Sequence, residues 1–180
     1  MRLTWHRRVL HLRHPFNIAS LARTRELEKE IIFVQIEHDG LIGWGEASPA
    51  SYYNQFVESV KATLQRAAGL LGHDPLAFDV ILGGLREHFP DQPATISAID
   101  IALHDLAGKI LGIPIWKWLG LDLQRVPLTS FTIGIDDPGV IAQKVHEAAD
   151  YPILKVKVGS QEDERILAAV RGGAGQDAAG

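Results

Sequence analysis

The sequence predicts an α+β fold in two parts: a three-stranded antiparallel meander with helices over residues 1–124, then two parallel strand–helix units over 125–171, with an unstructured tail at 172–180. Asp39-Gly40 separates two runs rich in apolar and β-branched residues, a strong short-range hairpin signal. Between about 55 and 119 apolar residues recur every three or four positions, the period of helices that bury one face. Beyond Gln124 the pattern becomes strand, helix, strand, helix, and such alternation builds parallel β–α–β units.

Each element has its own signal. Residues 2–14, 30–38 and 41–46 read as the three strands of the meander. The polar, irregular segment Pro15–Lys29 between the first two is a long excursion, and long loops in compact domains tend to be functional or mobile. Phe56, Val60, Ala62, Leu64, Ala67 and Leu71 fall near one side of a helix over Gln55–Leu71. His73-Asp74-Pro75 ends it and caps a second helix running to Arg86. Ile96, Ile99, Leu103, Leu106 and Ile110 define a stronger third helix, with Pro93 in its first turn and Gly112 and Pro114 beyond its end. A short amphipathic turn follows at 114–119. The second part reads as a strand Pro127–Gly134, a helix Pro138–Ala149 started by Asp136-Asp137, a strand Ile153–Val158 and a helix Gln161–Arg171. Two such units leave an unpaired parallel edge and an uncovered sheet face, so the chain looks cut short, its edge completed by something else or only marginally folded.

Composition narrows the partners. With 180 residues, 46% apolar and 22% charged, the chain can bury a core. A net charge of −4 gives no basic footprint for nucleic acid or for an anionic membrane surface. The absence of cysteine excludes disulfides, thiolate metal sites and cysteine nucleophiles and fits a reducing cytoplasm. Arg2, Arg7, Arg8 and Arg13 near the N-terminus are not followed by the apolar run of a secretory signal, and no stretch reaches the roughly 18 apolar residues of a membrane span.

The strand Tyr151–Gly159 carries the chemistry. Lys155 and Lys157 stand at i and i+2, so they share one face while Leu154, Val156 and Val158 share the other. A lysine ionises near 10.4, whereas a general base at neutral pH works best near 7–8, a difference of about 4 kcal/mol. A second ammonium about 6–7 Å away supplies about 2.5 kcal/mol at an effective dielectric near 20, and desolvation acts in the same direction. A lysine face solvated at a sheet edge gives the same spacing, so the pattern alone leaves both readings open. Elsewhere, Gly43-Trp44-Gly45 is a poor dinucleotide loop because Ser48 stands at the third glycine position of a hairpin context. The eight histidines are scattered, and His104-Asp105 on an apolar helix reads as packing.

Ile42-Gly43-Trp44-Gly45-Glu46-Ala47, the helix Ala98–Lys109, Gly112-Ile113-Pro114-Ile115 with Leu119-Gly120, and Lys155-Val156-Lys157 together resemble the enolase superfamily, and within it the muconate-lactonizing-enzyme subgroup. Thr132-Ile133-Gly134-Ile135-Asp136 and Tyr151-Pro152-Ile153-Leu154 look most like its dipeptide (L-Ala-D/L-Glu) epimerases, and the likeness runs from residue 1 to about 171. The resemblance implies an α+β capping domain at 1–124 and the first two βα units of a (β/α) barrel at 125–171. It implies that Lys157 is the base removing a proton α to a carboxylate, that Lys155 touches the carboxylate and tunes its neighbour, and that Thr132 lines the substrate site. Arg23, with Arg25, sits in a loop that in such proteins closes over the barrel mouth, where an arginine suits a substrate carboxylate; a solvated loop is the plain alternative. Ser51-Tyr52-Tyr53-Asn54 is a second such loop, or simple packing. The family binds Mg²⁺ through carboxylates on the third, fourth and fifth barrel strands and carries an opposing lysine on the sixth. None of those strands is in this sequence, and Asp177, in a Gly/Ala run, is not assigned to metal. The implied function is a metal-assisted racemase or epimerase acting on a dipeptide or N-acyl amino acid, self-associating through its open edge, with the isolated chain inactive. Other superfamily chemistry (o-succinylbenzoate synthase, cycloisomerase, N-acylamino acid racemase) or a non-catalytic truncated fragment are the alternatives.

Overall fold

The computed structural model describes residues 1–17 and 27–173. They fall into two compact units: Met1–Leu10 with Glu30–Gln124, and His11–Lys29 with Arg125–Gly180.

The first unit is built on strands β1 (Arg2–His11), β2 (Glu28–His38) and β3 (Leu41–Ala47), in the order β1-β2-β3. β2 and β3 pair antiparallel from His38↔Leu41 to Ile32↔Ala47. The turn between them places Asp39 at φ 48° and Gly40 at φ 78°. Two left-handed residues in succession match the twist of the flanking strands, and Asp-Gly is one of the few pairs that adopt them readily. Three helices follow, α1 (Val57–Ala67), α2 (Phe78–His88) and α3 (Pro93–Leu111), then the single turn α4 (Ile115–Trp118). Ile32, Val34 and Ile36 of β2 and Ile99, Leu103 and Leu106 of α3 form the buried centre with Val60, Leu64 and Leu85. β3 lies hard against α3: a Cβ on Gly43 would stand 2.0 Å from the Ala102 carbonyl oxygen, and one on Gly45 would stand 1.9 Å from that of Ala98. Glycine at both positions is therefore a condition of the packing. α3 also covers the free edge of β3, since Asp105 accepts the Trp44 N–H (2.8 Å) and Lys109 donates to the Ile42 carbonyl (2.6 Å). Those two side chains occupy backbone groups that would otherwise template a further strand.

The second unit contains β4 (Ser130–Ile133), α5 (Pro138–Glu147), β5 (Ile153–Val156) and α6 (Asp163–Gly173). β4 and β5 pair in parallel, Ser130↔Ile153 through Ile133↔Val156. Their small core is Ile133, Ile141, Val145, Ala148 and Ile166, with Leu154 and Val156 packed against it.

Several boundaries differ from those the periodicity predicts. The first helix begins at Val57 because Phe56 is extended, and its end tightens into a 3₁₀ turn over Ala68–Leu70. The second begins at Phe78 because the Asp74 carboxylate first accepts the Leu76 N–H (2.9 Å), a local turn that competes with the helix. β4 and β5 are four residues each, shorter than predicted. α6 runs through Gly173 into the predicted tail, where a Cβ would stand 3.2 Å from the Ala142 carbonyl oxygen and from the Val145 side chain, so this end packs on α5. Residues 174–180, with Asp177, lie outside the described residues.

Candidate active site

Residues opposite each other in the β4–β5 register share a face. Phe131, Ile133, Leu154 and Val156 fall on one, and Ile133, Leu154 and Val156 take part in the core with α5 and α6. Ser130, Thr132, Ile153 and Lys155 fall on the other, with Thr132 directly opposite Lys155. The Lys157 N–H donates to the Ile133 carbonyl (2.9 Å), which carries the ladder one residue pair further and returns Lys157 to the face of Lys155. The structure thus gathers Thr132, Lys155 and Lys157 on the sheet face turned away from the helices. The spacing alone leaves burial open, and on this face Lys155 is exposed and Lys157 half-buried. Within this unit the sheet has two strands, and α5 and α6 pack on its opposite face.

The turn that leaves the lysine strand is held by a reciprocal cap. Asp163 accepts the N–H groups of Gly159 (2.9 Å) and Ser160 (2.8 Å), while the Ser160 hydroxyl accepts the Glu162 N–H (3.2 Å) and donates to Asp163 (3.0 Å). Gly159 takes φ 115°, a conformation that suits glycine. The hydrogen bonds from the Ser160 and then the Gly159 backbone hold the Asp163 carboxyl below the ordinary aspartate range, against a smaller opposing effect of burial. Ser160 and Asp163 stand at the serine-x-x-acid spacing of a capping box, a signal legible in the sequence.

At the other strand, the segment after β4 carries a buried ion pair, Lys144 to Asp136 at 3.0 Å, with side chains 5% and 2% exposed. Residues eight apart are not neighbours on a helix face, and no local spacing rule finds such a pair. Glu46 is exposed. His104 is half-buried, donates from Nδ1 to the Asp100 carbonyl (3.0 Å) and packs on the rings of Phe78 (4.6 Å) and Trp118 (5.8 Å). Arg23 and Arg25 lie outside the described residues. Among the described residues no group of three His, Cys, Asp or Glu is placed to hold a metal ion, and no helix is long and apolar enough to cross a membrane.

Residues 3–120 match the N-terminal domain of the mandelate racemase/muconate lactonizing enzymes. The chain belongs to that family. An L-Ala-D/L-Glu epimerase of Bacteroides thetaiotaomicron is 40% identical over 172 residues, 95% of this chain and 44% of that protein. An L-Ala-D/L-amino acid epimerase of Pedosphaera parvula is 37% identical over 179 residues, 93% of this chain and 48% of the relative. Among solved structures, the dipeptide epimerase of Enterococcus faecalis, complexed with Mg and the dipeptide L-Leu-L-Tyr, superimposes with a TM-score of 0.85 at 28% identity, covering 98% of this chain and 51% of that one. This mandelate racemase/muconate lactonizing family member therefore spans about half the length of the curated relatives it matches. Mg accompanies the Enterococcus enzyme, but the described residues here offer no carboxylate cluster that fits it.

Proposed function

We propose that this chain supplies the proton-abstracting side of a dipeptide epimerase of the enolase superfamily. Lys157 is the base that takes the proton α to the substrate carboxylate, Lys155 stands beside that carboxylate, Thr132 lines the same face, and Arg23 recognises a substrate carboxylate from the excursion. The observation that supports this most is the convergence of Thr132, Lys155 and Lys157 on the helix-free face of β4 and β5, in a chain whose relatives are epimerases.

An α-proton next to a carboxylate is weakly acidic, and a lysine alone does not stabilise the enolate that its removal leaves. A positive centre opposite the developing charge normally supplies that term. In the family Mg²⁺ does so, and the described residues of this chain do not include the carboxylate cluster that would hold it. The chain by itself consequently provides a base and a carboxylate contact without the electrophile, and we assign it no epimerase activity alone. Exposed apolar residues on the second unit, Leu128 (70%), Val126 (63%) and Val158 (49%), favour association with another chain or a further copy, in the reducing cytoplasm that a cysteine-free chain suits.

Incubation of the 180-residue chain with L-Ala-L-Glu and Mg²⁺ in D₂O, followed by NMR of the α-proton, is expected to show no exchange. A chimera joining it to the C-terminal half of the Bacteroides relative is expected to exchange that proton and form L-Ala-D-Glu. Turnover by the chain alone, or an inert chimera that is folded and binds Mg²⁺, overturns the assignment.

A further inference from the structure

The segment that follows β1 is fastened through five of its residues within the second unit. His14 Nε2 lies 2.6 Å from Oε2 of Glu147, and the Arg13 guanidinium lies 3.3 Å from Oε1, which also accepts from Gln143 (2.9 Å). Lys144, in the same turn of α5, donates to the Pro15 carbonyl (3.3 Å) as well as to Asp136 (3.0 Å). Asn17 takes both backbone groups of Ile135: its carbonyl accepts the Ile135 N–H (3.0 Å) and its Nδ2 donates to the Ile135 oxygen (3.1 Å). Gly134 lets the two backbones meet, since a Cβ there would stand 3.1 Å from the Asn17 oxygen. At the base, the Leu12 N–H donates to the Leu27 carbonyl (2.7 Å).

We propose that His11–Asn17 is a strap latched onto α5 and the end of β4, with Glu147 as its releasable catch and the Lys144–Asp136 pair as its fixed post, and that the latch positions the strand end that carries Thr132. The two fastenings differ in what breaking them leaves behind. The His14 and Glu147 side chains are each about a quarter exposed (24% and 22%), so water can take over either partner. Lys144 and Asp136 are almost fully enclosed, and separating them would strand a buried charge. The catch therefore opens first, and the post stays. Ile135 lies three residues beyond Thr132, so holding Ile135 from both its N–H and its C=O fixes where β4 ends. Glu147, Lys144 and Asn17 are positioning residues in this scheme. Its functional weight rests on the reading of Thr132 given above, whereas the latch itself does not.

Hydrogen exchange and limited trypsin digestion of the full chain test it without reference to activity. In Glu147→Ala, cleavage after Arg13 and exchange of the Leu12 and Ile135 amides are expected to speed up about tenfold, the size of a lost charge-assisted contact, while the Ile141 and Ile166 amides keep their rates. Asn17→Ala is expected to speed Ile135 alone. Glu162→Ala, which removes an exposed pair with Arg165 on α6, is expected to leave all four amides unchanged. Unchanged Ile135 exchange in Glu147→Ala would overturn the latch, and so would a uniform acceleration that includes Ile141 and Ile166, since that is general loosening of the unit. A chimera that proves inactive while the Ile135 amide still responds to Glu147→Ala would leave the latch standing and refute only the catalytic assignment.

Discussion

A methyl group on Gly45 would lie 1.9 Å from the Ala98 carbonyl oxygen, and a backbone oxygen in the middle of α3 has nowhere to retreat. Gly45→Ala is expected to destabilise the chain by about 3 kcal/mol or more, read as a lower urea midpoint. Gly83 is the counterpart: it is exposed in the middle of α2 with nothing within 4 Å of its added Cβ, so Gly83→Ala is expected to stabilise by about 0.5–1 kcal/mol. Asp163 gives a pH-dependent outcome. Its carboxyl is held low in the folded chain by the Ser160 and Gly159 N–H groups, so its contribution is present above the ordinary aspartate pKa and disappears as pH falls through the lower folded value. Asp163→Ala is therefore expected to be less stable than the parent at neutral pH, with the two denaturation curves converging in acid. A gap that persists at the lowest pH where both still fold would contradict this. Glu147 follows the same sign, lowered first by its hydrogen bonds from His14 and Gln143, so the strap is expected to loosen in acid, visible as faster Ile135 exchange relative to Ile141.

Among elements, those with local signals were legible in the sequence. Asp39-Gly40 marks the hairpin because the turn it makes needs two left-handed residues, and Ile96, Ile99, Leu103 and Leu106 mark α3 because their spacing is the helix's own. The shared face of Lys155 and Lys157 followed from the strand period in the same way. What the sequence withheld is non-local. The exposure of that face depends on what covers it rather than on its own residues. The strap is joined by residues as far apart as His14 and Glu147, 133 positions, and no periodicity reports a contact at that separation. Likewise the ends of β4 and β5 are set by their pairing with each other, which shortened both.

For the molecule as a whole, the decisive facts are that the chain covers about half of its relatives and that its described residues hold no acidic cluster for a metal. Calorimetric titration with Mg²⁺ is expected to give no saturable heat in the micromolar range for the chain alone. Light scattering is expected to show self-association that weakens in Val158→Lys, because the exposed apolar residues of the second unit are the surface that drives it. The central claim, that Lys157 is a base, is tested most directly by the rate at which solvent deuterium replaces the α-proton of L-Ala-L-Glu in the chimera and in its Lys157→Ala variant. The account predicts a loss of about 10² to 10⁴ in that rate with folding and Mg²⁺ binding intact. Exchange in the variant at the parent rate would contradict it.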